Sequence, residues 1–502
     1  MYWFQMVVAP LNKWRHFTES RKTMISKKTK FIHRFFATLI SFFVIFTFAM
    51  VWFTSYNDYS FNTHWREGAL FSILLYSIIY ISFARLYNGY KIGTYQIGEV
   101  MFSQVLAIGI ANTILFVQCC LISNRYVDIV PGLFLTVFQI TCILIWALVA
   151  KQYYIYFTSP SNTLVICNNE YEALNFKRKL EGKFGHMFEL ANIETDVSPI
   201  DVIKEKIDQS EAVMLYEIDN NLRTQLMEYI VSHKKILYIT PSYSDVLIQG
   251  FEFRHFIDTP MMKYNYTSEK ARSYGGKRAV DIFFSLLGLV IFSPFMLLTA
   301  IAIKLEDGGP LFFKQKRCTE GGKVFEIYKF RSMIIDAEKD GIAIPCTAND
   351  NRVTKVGRVI RKIRLDEVPQ FINVLIGQMS IVGPRPERIE HVNEYVRECP
   401  EFTYRFRVKG GLTGYAQIYG KYNTSAQDKL RLDMIYIEKM SLFLDLKLIF
   451  LTLKTLFIPE STEGFSKKRS REITQMGRFS RKTKQPAGEV LLEESGFKKK
   501  VV

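Results

Sequence analysis

The chain opens with four long apolar runs separated by short polar loops: Phe35 to Tyr56, Ala69 to Tyr87, about Val100 to Ile122, and Val130 to Ala150. Each is about 20 residues, enough to cross roughly 30 Å of hydrocarbon at 1.5 Å per residue. The pattern predicts four transmembrane helices. From Asn162 to about Tyr264 short apolar runs alternate with polar, helix-spaced stretches. Thr163 to Cys167, Ala212 to Tyr216 and Lys235 to Ile239 read as strands, with helices over 170–181 and 222–232 between them, as in a small parallel α/β domain. The first strand is followed by Cys167-Asn168-Asn169-Glu170. A dinucleotide site would carry glycines there, so the expected domain is a degenerate, regulatory or structural relative of the nucleotide-binding type.

A fifth apolar stretch, Ile282 to Ile303, has basic residues on both flanks and Ser293-Pro294 at its centre. Proline removes one helix hydrogen bond, and the neighbouring hydroxyl can cover the freed carbonyl. The flanks and the break predict a helix that dips into the inner leaflet and returns; a kinked spanning helix is the alternative. Between Val353 and Leu365, apolar residues at 356, 359, 360 and 363 and basic residues at 355, 358, 361 and 362 both keep helical spacing. That pattern suits an anionic membrane surface or an ordinary half-buried helix.

Charge orients the chain. Residues 1–34 hold eight Lys/Arg against Glu19 alone, which places them in the cytoplasm. Four crossings then return the chain to the cytoplasm at Lys151. Residues 1–157 carry a net +8, residues 158–269 a net −6 and residues 270–502 a net +15, so the +17 total is unevenly spread. The 41 Phe and 27 Tyr exclude a wholly disordered chain. The seven cysteines contain no C-x-x-C pair and the seven histidines no H-E-x-x-H, so a disulfide scaffold, a zinc site and histidine triad chemistry lack support. After Phe465 the sequence is basic and without sustained period, as in a disordered tail attracted to anionic lipid.

Candidate chemistry gathers between Lys277 and Phe465. Asp366 and Glu367 precede Pro369, at the positive end of an expected helix from Gln370 to Leu375, where ionised carboxylates are favoured. Phosphate-sized cationic groups occur in Lys329-Phe-Arg331-Ser-Met333, in Gly383-Pro384-Arg385-Pro386, and at Lys421 after a Gly-rich turn. Singly, each reads equally as a solvated cap or an ordinary turn.

Their order is more specific. The series runs Lys277-Arg278-x-x-Asp281, Ser293-Pro294, Gly309-Pro310-Leu-Phe-Phe-x-Gln315-x-Arg317, Lys329 to Met333, Leu365-Asp-Glu-x-Pro-Gln370 and Asn373-Val374. It continues with Ser380-x-Val-Gly-Pro-Arg-Pro386, Gly411-Leu-Thr-Gly-Tyr-Ala-Gln417, and Leu432-Asp433 through Asp445. This series resembles the bacterial polyprenyl-phosphate sugar-1-phosphate transferases, the monotopic phosphoglycosyl transferases that begin capsule and exopolysaccharide synthesis. The four spans and the degenerate middle domain match the family's long form.

The resemblance implies that Asp366 is a nucleophile that attacks a UDP-sugar and releases UMP, that Glu367 (with Asp366 beside it) holds Mg²⁺, and that Lys329, Arg331, Arg385, Lys421 and Arg317 bind phosphates. The expected organisation is a basic segment (1–34), a four-helix transmembrane bundle (35–157), a Rossmann-like α/β domain (158–269), an α+β catalytic domain (270–465) with a re-entrant helix at 279–303, and a tail (466–502). The expected location is the bacterial inner membrane, multi-pass, with the catalytic domain cytoplasmic. Expected partners are a UDP-sugar, undecaprenyl phosphate and anionic inner-leaflet lipids, with a homodimer allowed and no nucleic acid. A membrane-anchored NAD-dependent sugar-nucleotide enzyme and a non-enzymatic scaffold are the competing classes.

Overall fold

The computed structural model describes residues 31–56 and 66–456, apart from 124–125, 159, 169–172, 175, 178–179, 182–183, 186, 197, 265–275, 336, 338–349 and 421–423. Most of the basic leader, Lys421 and the tail therefore lie outside the described residues. The chain divides into two compact units, Met1–Thr240 and Pro241–Val502.

The first unit begins with four helices long and apolar enough to cross a membrane: α1 (Phe31–Tyr56), α2 (Arg66–Leu86), α3 (Ile97–Ser123) and α4 (Val130–Phe157). Large apolar side chains such as Phe42, Leu74, Val117 and Phe134 point outward. The interior is joined by polar groups. Gln139 of α4 donates to the Val44 carbonyl (3.1 Å), Thr47 Oγ1 (3.2 Å) and Tyr76 Oη (3.2 Å). Tyr76 of α2 donates to Asn112 of α3 at 2.9 Å and stacks on Phe48 of α1 with ring centroids 3.8 Å apart. One hub thus draws on all four helices. In an apolar solvent such bonds, rather than apolar burial, select the packed partner.

The parallel sheet expected next is present, in the order β2 (Phe188–Thr195), β1 (Ser161–Cys167), β3 (Ala212–Tyr216), β4 (Ile236–Ile239). Alternation along β1 and β3 sends Leu164, Ile166, Val213 and Leu215 to one face. There they meet Ile203 and Ile207 of α5 (Ile200–Gln209) and Leu226 and Ile230 of α6 (Asn220–Ser232). Val165, Cys167 and Met214 point to the other face, with Ala173.

The second unit contains residues 241–264, which the sequence pattern groups with the sheet. Val246 of α7 (Tyr243–Ile248) packs with Cys399, Phe402, Leu430 and Met434. A hairpin follows, β5 (Glu252–Phe256) with β6 (Thr259–Lys263). Then comes α8, one continuous helix from Gly276 to Asp307 with Pro294 inside it. Ser293 Oγ donates to the Val290 carbonyl at 2.8 Å. That carbonyl is the one Pro294 leaves without an amide partner, so the hydroxyl does cover the freed group. Most of α8 exposes apolar side chains, Phe283, Val290, Leu297 and Leu298 among them.

The two ends of α8 are fastened to the same unit. Near the start, Asp281 accepts from Ser380 Oγ (2.9 Å) and the Ile381 amide (2.8 Å), and Lys277 donates to Asp445 (2.7 Å). Gly288 lets the Phe371 ring approach; a Cβ there would lie 2.8 Å from it. Near the end, Ile303 joins a core with Phe330, Ile360, Leu365 and Val368.

Beyond α8 come the antiparallel pair β7 (Phe312–Cys318) and β8 (Val324–Phe330), then α9 (Lys355–Lys362) and α10 (Gln370–Ile376). The last described elements include β9 (Ser380–Val382), α11 (Ile389–Glu398), β10 (Gly411–Thr413), α12 (Ala426–Lys439) and α13 (Leu442–Leu456). The amphipathic stretch forms α9, capped by Thr354 Oγ1 on the Gly357 amide (2.9 Å) and by Glu306, which accepts from the Lys355 amide (2.7 Å). Its apolar positions divide: Ile360 is buried, whereas Val359 and Ile363 are exposed.

Candidate active site

Asp366 and Glu367 sit in a single 3₁₀ turn, Leu365–Glu367, between α9 and α10. Leu365 and Val368 on either side are core residues, so the turn is anchored at both ends and the two acids project from it. Arg364 enters the turn in the left-handed region, with φ 57°. That conformation is uncommon for a side chain this large and costs about 1–3 kcal/mol. Pro369 then opens α10, where a missing amide costs no hydrogen bond.

Three cations surround Glu367. Lys329 Nζ, from β8, donates to Oε1 at 2.8 Å, and Arg385 Nη2, from the Gly383–Pro386 turn, donates to the same oxygen at 2.7 Å. Arg364 Nη1 lies 3.7 Å from Oε2. Burial pushes the Glu367 carboxyl up, but Arg385, Lys329 and Arg364 together outweigh it and hold it well below the usual range. Burial lowers the Lys329 ammonium despite Glu367, and Glu367 raises the Arg385 guanidinium. Asp366 differs from its neighbour. It is 9% exposed, and its Oδ1 has no hydrogen-bond partner. Burial, reinforced by the charge of Glu367, pushes its carboxyl up to about 6 against the pull of Lys329, Arg361 and Arg364. Adjacent carboxyls are thus driven apart: one locked as an anion, one poised near neutrality.

The structure brings Lys329, Asp366, Glu367 and Arg385 together. Arg331, two residues past Lys329, instead pairs with Asp307 at the end of α8. Arg317 donates to the Pro386 carbonyl (3.1 Å) and to Gln315 Oε1 (2.6 Å), while burial lowers its guanidinium to about 10. Sequence reasoning missed Arg364, whose role depends on its left-handed backbone. It also missed a use for Asn373, whose side chain accepts from the Tyr328 amide (2.9 Å) and donates to the Glu326 carbonyl (2.8 Å). Asn373 pins β8, and with it Lys329, to α10.

Among the described residues no three His, Cys, Asp or Glu side chains gather as a metal cage. Magnesium usually takes one or two carboxylates and completes its shell with water and substrate phosphate oxygens. The ionised Glu367 and the unpartnered Oδ1 of Asp366 fit that lean donor set.

Residues 272–459 match the family model described as bacterial sugar transferase. Over 204 residues the chain is 37% identical to an uncharacterized sugar transferase of Bacillus subtilis (strain 168), a match covering 41% of this chain and 98% of that relative. The chain belongs to the bacterial sugar transferase family. A second relative is the UDP-N-acetylgalactosamine-undecaprenyl-phosphate N-acetylgalactosaminephosphotransferase of Aeromonas hydrophila, 45% identical over 183 residues, or 36% of this chain and 43% of that one. A third is the UDP-glucose:undecaprenyl-phosphate glucose-1-phosphate transferase of Klebsiella pneumoniae, 45% identical over 190 residues, or 37% of this chain and 41% of that one. The matching stretch spans about two fifths of the length of these last two relatives. The sugar transferase segment contains the whole Asp366–Glu367 cluster, including Lys329 and Arg385.

Proposed function

We propose that this chain transfers a sugar 1-phosphate from a UDP-sugar to undecaprenyl phosphate, releasing UMP. The observation that carries the reading is the carboxyl pair: Glu367 fixed by Lys329 and Arg385, and Asp366 beside it with an unpartnered oxygen. The names of the relatives supply the substrate classes, UDP-sugar and undecaprenyl phosphate.

In this reading the Asp366 carboxylate attacks the sugar-bearing phosphorus. The bond from that phosphorus to the bridging oxygen breaks, and UMP leaves with the electron pair. A phosphate oxygen of undecaprenyl phosphate then attacks the same phosphorus, and the aspartate is released as carboxylate. With its carboxyl at about 6, Asp366 is mostly ionised at neutral pH, yet its poor solvation keeps it reactive. Lys329, Arg385 and Arg364 supply fixed positive charge where anion approaches anion. A magnesium ion held by Glu367, with Asp366 beside it, would neutralise phosphate oxygens.

The position of α8 supports placing the reaction at the membrane surface. Both of its ends are bonded to one unit, and the apolar side chains between them face outward. We read α8 as re-entrant, with the catalytic unit on the cytoplasmic side and the exposed Val359 and Ile363 of the basic helix α9 against anionic inner-leaflet lipid. The test is incubation of the detergent-purified chain with UDP-sugars, magnesium and undecaprenyl phosphate. UMP release and labelled lipid are expected from the wild type, with sugar phosphate trapped on it but not on Asp366→Asn. Equal trapping on both proteins would refute the assigned nucleophile, and no UMP from any UDP-sugar would refute the reaction.

A further inference from the structure

The turn that carries Arg385 is held from behind by three cations. Of the five carbonyls from Val382 to Pro386, four accept a hydrogen bond from outside the turn. Lys277 Nζ (2.9 Å) and Tyr436 Oη (3.1 Å) reach Val382 O, and the Gly411 amide reaches Pro384 O (2.9 Å). Arg405 Nη2 reaches Arg385 O (2.8 Å), and Arg317 Nη1 reaches Pro386 O (3.1 Å). Arg405 is itself paired with Asp433 at 2.8 Å, with side chains 3% and 2% exposed, and its guanidinium lies 4.7 Å from the centre of the Phe402 ring.

Burying a guanidinium and a carboxylate is costly, and an apolar pair of the same size often serves stability as well. The cost points to a task that an apolar pair cannot perform. Pro384 and Pro386 fix φ on both sides of Arg385, and the following proline keeps Arg385 extended. What remains is the spread of φ and ψ that Arg385 keeps within the extended region, which tilts the 385 peptide plane and sets where the side chain leaves the backbone. The donor on that plane is Arg405. It is too buried to touch a substrate, and its polar contacts are with the Arg385 carbonyl and Asp433.

We propose that Arg405, held by Asp433, is a positioning residue that aims Arg385 at Glu367. Its consequence for turnover rests on the reaction proposed above; its consequence for the Arg385–Glu367 bond does not. The test therefore has two arms, both on the full-length chain in detergent. In the first, phenylglyoxal modification of Arg385 is followed by peptide mass mapping. Arg385 is about a third exposed, so its bond to Glu367 governs how fast the reagent reacts. The double variant Arg405→Met/Asp433→Leu removes both charges without stranding either one. Arg385 should be modified several-fold faster in it than in the wild type, and Arg405→Lys, which keeps a cationic donor, should fall between them. Wild-type protection in a folded double variant would overturn the proposal. If that variant does not fold, Asp433→Asn, which frees Arg405 at constant volume, takes its place under the same criterion.

In the second arm, the double variant should lower kcat/KM for UMP release about tenfold or more. It should cost nothing further in an Arg385→Ala background. Equal losses in both backgrounds would show that the pair serves stability alone. A wild type that releases no UMP defeats the proposed reaction, and the modification arm still decides the positioning role.

Discussion

Replacing Asp366 by asparagine should make the catalytic unit more stable while abolishing transfer, and the gain should depend on pH. The carboxyl titrates at about 6 in the folded chain against an ordinary 3.8. A raised acid pKa means that the charged form is disfavoured by folding. Above pH 6 the group is ionised folded or unfolded, and the folded state bears the full cost: 2.2 pH units at 1.36 kcal/mol each, or about 3 kcal/mol. Below about pH 3 it is protonated in both states and the cost vanishes. Wild-type stability therefore falls, from this group, as pH rises from about 4 to 6, and roughly 2 kcal/mol of the change develops between pH 4.5 and 7.5. Asparagine does not titrate. The variant's advantage in thermal midpoint, followed by intrinsic fluorescence in detergent, should grow by about 4–8 °C across that interval. An advantage that is the same at both pH values, or that shrinks as pH rises, would refute a buried, strained carboxylate at Asp366.

In the proposed reaction the same group should set an acid limb near pH 6 on UMP release, which falls as Asp366 protonates; a rate flat from pH 5 to 7 would contradict the proposed role of Asp366 as nucleophile. Gly357→Ala places a Cβ 2.0 Å from the Ser332 carbonyl, just beyond Lys329, and should cost about 2 kcal/mol or more by thermal unfolding, with slower turnover. Gln139→Leu removes the hub of the four-helix unit and should cost about 1 kcal/mol in detergent unfolding titrations of the full chain, small because the unfolded helices find other partners. A cysteine replacing Lys323, on the exposed β7–β8 connection, should react with an impermeant reagent only after cells are permeabilised; labelling of intact cells would exclude a re-entrant α8.

Local pattern carried the reading as far as local physics reaches. Apolar run length specified the four helices of the first unit, and short unbroken apolar runs specified β1 and β3, because each needs only neighbouring residues. Ser293-Pro294 foretold its own hydrogen bond for the same reason: donor and acceptor are one helical turn apart. The Asp366–Glu367 pair stood out through its order among other motifs, not through its chemistry. What the sequence hid is long-range pairing. Arg331 reads like Lys329, yet Asp307 claims it from 24 residues upstream. Arg405 and Asp433 lie on different elements, and no periodicity links them. The split of α9's apolar stripe depends on which side meets Ile303 and Leu365, a tertiary fact. Arg364 could not be read at all, since its reach to Glu367 depends on a left-handed backbone that its sequence neighbourhood does not announce.

The foot of α8 also bears on the order in which the chain is made. Lys277 and Asp281 leave the ribosome before every partner they hold in the finished structure. Asp281 receives Ser380 and Ile381 only 99 and 100 residues later, and Lys277 meets Asp445 only 168 residues later. Until then a carboxylate and an ammonium at the root of an apolar helix have only each other, one helical turn apart, and they keep that root in water or among headgroups. With α8 read as re-entrant, that exposed charge would fix its depth in the nascent chain, and synthesis of α13, the last described helix, withdraws the charge into the protein. A chain terminated before Asp445 would carry every residue of the carboxyl pair and its cations, yet it would leave Lys277 without its carboxylate and the Arg385 turn without a settled base.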